Sequence, residues 1–202
     1  MERTSRSEIL LSRLAHTYLE ARRLREALEA AADILRTNSA HPDALAISAL
    51  AMDTLGEKIE ARLYYERAIA LEPKSKYLRM RYARNLASSG LTAQAVEVYT
   101  GLVKDYPGDN TLYQDLGVAY GVMGNYAKSI ETLKQAVAIR PTPIAYFNLA
   151  VACKETGELA EALRFLRLYL ADPEGESERD IKIARDELQN LERTLKEKSA
   201  PR

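Results

Sequence analysis

The chain has 202 residues, with 29 Lys plus Arg against 29 Asp plus Glu, a formal net charge of zero and an apolar fraction of 47%. That length can bury one core or sustain one continuous repeat array. The charge balance offers no field for a phosphate backbone, which argues against general nucleic-acid binding. No stretch approaches the roughly 18 apolar residues of a membrane span, and the single cysteine, Cys153, excludes an internal disulfide. Met1 to Ser7 carry charge with no signal-type apolar run behind them. The expectation is a cytoplasmic protein, although a secreted or periplasmic chain trimmed of its leader would read the same.

From residue 8 onward the chain is periodic. Gly56, Gly90, Gly124 and Gly157 are separated by 34, 34 and 33 residues. Two series of small residues keep the same interval: Ala15, Ala49, Ala83, Gly117, Ala150, and Ala27, Ala61, Ala95, Ser129, Ala162. A proline series follows, Pro73, Pro107 and Pro141, with Pro173 two residues early. Between these marks, as in Leu45 to Leu55 and Ile59 to Leu71, apolar residues recur at spacings of three and four, which predicts two helices per unit. Glycine falls just past the first helix, where a left-handed residue is wanted. Proline stops the second helix. The small residues mark where the paired helices approach closely, and large neighbours such as Tyr82, Leu116, Tyr99 and Leu133 fill the space beside them.

The units register as 8–41, 42–75, 76–109, 110–142 and 143–176, between an N-terminal extension (1–7) and a final segment. The first unit has Arg22 where the glycine belongs and Ser39 where the proline belongs. In the last segment Ser177 and Asp180 have the spacing of a capping box. A helix is predicted there over 177–198, followed by a tail (199–202). Its apolar stripe, Ile181, Ala184, Leu188, Leu191 and Leu195, suits a cap over the open edge of the array. A short dimerising coiled coil is the alternative.

These residues resemble the tetratricopeptide repeat family, whose period is 34 residues. The fourth unit carries the pattern most fully, with Tyr113, Leu116, Gly117, Tyr120, Gly124, Tyr126, Leu133, Ala136 and Pro141. The resemblance covers residues 8 to about 176. It implies an all-α, right-handed superhelical solenoid of five helix-turn-helix repeats with a concave inner surface lined mainly by first helices. Carrying that surface across gives candidate partner-binding residues Ile47, Leu50, Tyr77, Met80, Arg81, Arg84, Gln114, Val118, Phe147, Asn148 and Val151. Apolar strips left in solvent usually mark interaction sites, and the Arg81 and Arg84 pair with Gln114 and Asn148 could bind peptide carbonyls or carboxylates. One branch of the family clamps acidic chaperone tails. The clamp positions here are Ser12, His16, Ile47, Tyr77 and Arg81, of which only Arg81 matches, so that function is not expected.

Catalytic and cofactor signatures are missing. His16 and His41 are the two histidines, and one cysteine cannot supply the usual zinc spacing. Gly117, Gly121 and Gly124 fall on a predicted helix without a Gly-Lys-Ser/Thr ending, so they read as close packing and not as a phosphate loop. The expectation is a non-enzymatic scaffold that binds a protein or peptide, with no cofactor, no metal, no nucleic acid and no membrane insertion. The alternatives are a self-assembling structural protein, through the array ends or the last helix, and an accessory subunit of an enzyme or secretion complex.

Overall fold

The computed structural model describes residues 6–173 and 175–199. Most of the expected extension and tail therefore lies outside the described residues. Among those described there are eleven α-helices and no strand: α1 (Arg6–Glu20), α2 (Leu24–Thr37), α3 (Pro42–Leu55), α4 (Lys58–Leu71), α5 (Lys76–Ser88), α6 (Thr92–Asp105), α7 (Asn110–Val122), α8 (Tyr126–Ile139), α9 (Pro143–Glu155), α10 (Leu159–Ala171) and α11 (Glu178–Ser199). They belong to two compact units, residues 1–98 and 99–202, with the division inside α6.

One turn geometry joins the two helices of every hairpin. The N–H of the second or third residue past the helix donates to a carbonyl five residues back: Arg23 to Tyr18 at 2.8 Å, Glu57 to Met52 at 2.9 Å, Leu91 to Leu86 at 2.9 Å, Asn125 to Tyr120 at 2.9 Å and Glu158 to Cys153 at 2.8 Å. This satisfies a carbonyl the helix end would otherwise leave bare, and it needs a left-handed residue just before the donor. Gly56, Gly90, Gly124 and Gly157 occupy that position at φ of 91°, 80°, 73° and 81°. In the first hairpin Arg22 adopts it at φ 60°, the sole non-glycine residue with positive φ among those described.

The next helix starts on a side-chain cap. His41 Nδ1 accepts from the Ala44 N–H at 3.4 Å, Asp109 from Thr111 at 2.9 Å and Thr142 Oγ1 from Ala145 at 3.3 Å. Ser177 Oγ likewise accepts from the Asp180 N–H at 3.1 Å at the start of α11.

Within the first unit, Ala15, Ala27, Ala31, Ile34, Ala44 and Ile47 form one buried cluster, and Leu45, Ala49, Ala61, Tyr65, Ala68 and Leu78 form a second. In the second unit the core runs from Ile130 and Leu133 through Leu149, Cys153, Phe165, Leu166 and Tyr169 to Ala184 and Leu191. Helix α11 thus turns Ala184 and Leu191 into its own chain's core, with Leu188 packed against it. Arg167 to Glu192 at 2.9 Å ties α10 to the same helix.

The small residues lie where the helices touch. Gly117 and Ser129 face one another across the α7–α8 hairpin, and Ser129 Oγ donates to the Gly117 carbonyl at 2.7 Å. A Cβ on Gly117 would meet Leu133 Cγ at 2.6 Å and Cδ2 at 2.8 Å. Gly117→Val should therefore overpack this hairpin and lower stability by about 1–3 kcal/mol. Urea unfolding of the variant beside the parent measures it, and a neutral result would contradict this helix contact.

Candidate functional site

The expected binding residues separate by burial. Ile47 is fully buried (0% exposed) in the cluster of α1, α2 and α3, so it is a core residue and not a groove anchor. Register places it inward, but α1 and α2 of the preceding hairpin cover it. Leu50 is also buried, although it reaches the wall of a cavity. Met80, Arg81, Arg84, Gln114, Phe147 and Asn148 are half-buried. Tyr77 (47%), Val118 (42%) and Val151 (45%) stand exposed.

In the first unit, Leu50, Tyr77 and Arg81 meet at a cavity of about 310 Å³ whose other walls are Leu19, Arg22, Leu24 and Thr54. The Arg81 guanidinium lies over the Tyr77 ring, 5.4 Å from its centroid. Arg84 does not line this cavity and is engaged in an interaction of its own. The expected Arg81–Arg84 pair is therefore not what the cavity presents: Arg81 shares it with Arg22. The signal for Arg22 was its departure from glycine at the turn.

Behind this cavity lies a polar node that holds three helices together. Asp53 Oδ1, at the end of α3, accepts from Lys58 Nζ at the start of α4 and from Asn85 Nδ2 on α5, each at 2.8 Å. Asn85 Nδ2 also donates to the Lys58 carbonyl at 3.2 Å. Asn85 is fully buried, and its Oδ1 has no partner. The amide orientation is forced, because the opposite flip would set its oxygen against a carboxylate. The buried Tyr65 hydroxyl is close to this node. Burial first, then the Asp53 charge, push its ionisation well above the ordinary tyrosine range. Its geometry to Asp53 falls short of a hydrogen bond.

In the second unit, α7, α8 and α9 enclose a mainly apolar cavity of about 280 Å³. Val118, Gly121 and Val122 form one wall, Tyr126, Ser129 and Leu133 the base, and Asn148, Val151, Ala152 and Glu155 the other wall. Val122 is 71% exposed, and Ile144 on α9 is exposed too. The structure therefore brings together Val118, Asn148 and Val151 as expected group members, while Gln114 and Phe147 are not among the lining residues. Tyr126 and Glu155 were invisible as site residues because their marks, an aromatic at a packing position and a helix-end acid, have ordinary structural explanations.

Beside it α11 closes over part of α9. Phe147, Val151, Lys154, Ile183, Glu187 and Leu191 border a smaller cavity of about 200 Å³, and Lys154 Nζ is 2.7 Å from Glu187. Phe147 packs at 5.4 Å, ring to ring, on Tyr169. The C-terminal helix has thus taken up Phe147 and Lys154, and it leaves the Val118 and Val122 side open.

Among the described residues no group of three or more His, Cys, Asp or Glu could hold a metal ion, and no helix is long and apolar enough to cross a membrane. Cys153 is buried, and desolvation, then the charge of Glu158, push its thiol up to about 11.

Residues 12–71 and 115–176 match one sequence model of the tetratricopeptide repeat family, and residues 59–119 match a second. Among solved structures, the fold is similar to MamA 41-end from Desulfovibrio magneticus RS-1, with a TM-score of 0.81 and 20% identity over 87% of this chain and 100% of that one. It is also similar to PilW, described as a widely conserved type IV pilus biogenesis factor, with a TM-score of 0.76 and 20% identity over 95% of this chain and 93% of that one. An 86-residue segment is 30% identical to human Protein O-mannosyl-transferase TMTC1, covering 43% of this chain. The chain spans about a tenth of that protein's length (10%).

Two outcomes follow from this chemistry. Asn85→Asp sets a second carboxyl against Asp53 in a buried site, so the folded state raises the introduced group's pKa above its unfolded value of about 4. The penalty is absent below that value and grows as pH rises toward the folded pKa. The variant should lose about 2–4 kcal/mol at pH 7 and approach the parent near pH 3, as read by denaturant titrations across pH. For Cys153, a buried thiol with a raised pKa should react with a chromogenic disulfide reagent at pH 8 about a hundredfold more slowly in the folded chain than in denaturant. Equal rates would contradict its burial.

Proposed function

We propose that this chain, which belongs to the tetratricopeptide repeat family, is a non-enzymatic scaffold that binds a protein partner through the faces of its first helices. One observation carries the reading. In the second unit Val118, Val122 and Val151 stand in solvent around an apolar cavity, although the core of that unit is already closed beneath them. The exposed part of these valines is not used by their own hairpin, and a partner that covers it gains about 25 cal/mol for each Å² of apolar surface removed from water. Asn148 and Glu155 on the same wall supply polar groups that would fix the register of a bound segment. The curated relative's transferase activity is not part of the proposal, since the match covers only a small segment of that protein.

A reading as a self-assembling structural protein predicts a different behaviour in solution. A scaffold with a free face runs as a monomer on sizing and becomes larger only with its partner. The decisive comparison uses the double variant Val118→Asp, Val151→Asp. Helical circular dichroism and melting should stay near the parent, because both positions are exposed. Capture of a specific partner from the native organism's extract, measured by quantitative mass spectrometry, should fall tenfold or more. Undiminished capture would remove this face from the account, and a concentration-dependent oligomer abolished by the same substitutions would favour self-assembly.

A further inference from the structure

The second helix of each hairpin carries an exposed pair of positions, four residues apart, that recurs at the repeat interval. In four hairpins the pair includes charge: Arg25 and Glu29 in α2, Glu97 in α6, Glu131 in α8 and Arg164 in α10, the last three each with an exposed alanine four residues before. In α4 the pair is Ile59 and Leu63, which stand 63% and 56% exposed. The same helix buries Ala61, Tyr65 and Ala68 on its other side, and Ile59 and Leu63 lie outside the cluster that side joins. We propose that this strip pairs with the same strip of a second copy, α4 antiparallel to α4, about a two-fold axis at Leu63.

The charges beside the strip select the occupant. With 3.6 residues to a turn, Glu60 and Arg67 fall on one flank of the Ile59–Leu63 line, one before Leu63 and the other after it. A two-fold axis through Leu63 reverses the chain direction and keeps the flank, so Glu60 of each copy comes level with Arg67 of the other. Two opposite-charge pairs then border the contact, and Leu63 meets its own mate. A parallel pair would instead set the Glu60 carboxylate on the apolar Ile59 of the other copy. Arg67 is already oriented for its part. Its Nη2 donates to the Ser39 carbonyl at 2.7 Å, and the guanidinium lies 5.9 Å from the Tyr64 ring centroid. The donors on its other nitrogens can still meet a carboxylate. Glu66, on the opposite flank, accepts from the Tyr82 hydroxyl at 3.1 Å within its own chain.

Two aliphatic side chains per copy make a small contact, below the roughly 1,200 Å² of a stable interface. The pair should therefore dissociate at about 100 µM to 1 mM, and the dilute chain runs as a monomer. No residue of α4 lines the arginine cavity of the first unit or the valine cavity of the second, so the pairing takes no wall from either. Copies gathered on one assembly reach effective concentrations of about 1 mM, where such a contact forms.

This inference goes beyond the scaffold reading and fails separately from it, because it is read on the chain alone. Sedimentation equilibrium of the full chain up to ~1 mM should show a monomer–dimer equilibrium, weakened by 0.5 M sodium chloride. Leu63→Glu should weaken the dimer tenfold or more and leave melting near the parent, since the position is exposed. Glu60→Arg and Arg67→Glu should each weaken it severalfold. An equimolar mixture of those two variants should recover the parent's affinity, because opposite charges again meet across the axis. A residue that mattered only to its own fold would give no such recovery. Val118→Asp, Val151→Asp should leave the dimer unchanged. A chain that stays monomeric throughout, a dimer undiminished by Leu63→Glu, or a mixture no tighter than its parts would overturn the proposal. So would a monomeric chain whose capture of another protein is lost in Leu63→Glu, which would give the strip to a different polypeptide.

Discussion

Two helices can lie against each other closely enough to make a hairpin only where neither carries a large side chain at the contact, and the chain meets that condition in every repeat. Gly117 and Ser129 show it at its tightest: there is no room for even a methyl group without displacing Leu133, and the Ser129 hydroxyl closes on the Gly117 carbonyl. Ala15 with Ala27 and Ala49 with Ala61 are buried without residual exposure. Once the hairpin is closed at that point, each first helix has one face committed to its partner and another left over. Both cavities take part of their walls from what is left over, and the rest from the turn and the second helices.

The turn between the helices imposes the second condition. A carbonyl at the helix end must be satisfied, and the bond that does so forces a left-handed residue. Four turns meet this with glycine and one with Arg22. A position that is conformationally expensive for arginine, and that delivers its side chain to a cavity shared with Arg81, separates the chemistry of the first unit from that of the second. The first presents a mainly polar lining with two arginines, and the second presents valines with an amide and a carboxylate at the wall. A scaffold with two such surfaces can read two features of a partner, or of two partners.

Repeat register and burial are different quantities. Leu50, Arg84, Val118 and Val151 occupy equivalent positions on successive first helices, yet Leu50 is buried while Val118 and Val151 are exposed. Ile47 shares its register with Asn148, and one is wholly core while the other is on a cavity wall. The neighbours make the difference. Beside α3, the helices α1 and α2 cover the inward positions, whereas on α7 and α9 Val118 and Val151 stay exposed and α11 engages Phe147 and Lys154.

The periodic glycines, prolines and small residues determined the helix pairs and the turn positions, and the apolar stripe from Ile181 to Leu195 the terminal helix, because those depend on local backbone conformation and on contacts between segments close in the chain. The departure of Arg22 from glycine was likewise visible in the letters alone. Its meaning was not, nor was the loss of Ile47 to the core, the engagement of Arg84 elsewhere, or the polar node joining Asp53, Lys58 and Asn85. Each of these depends on which side chains from different helices converge on one volume, and on which donors already have acceptors. A one-dimensional pattern repeated five times is nearly the same for every repeat. Only the packed chain distinguishes a position that a neighbour covers from one that water still reaches.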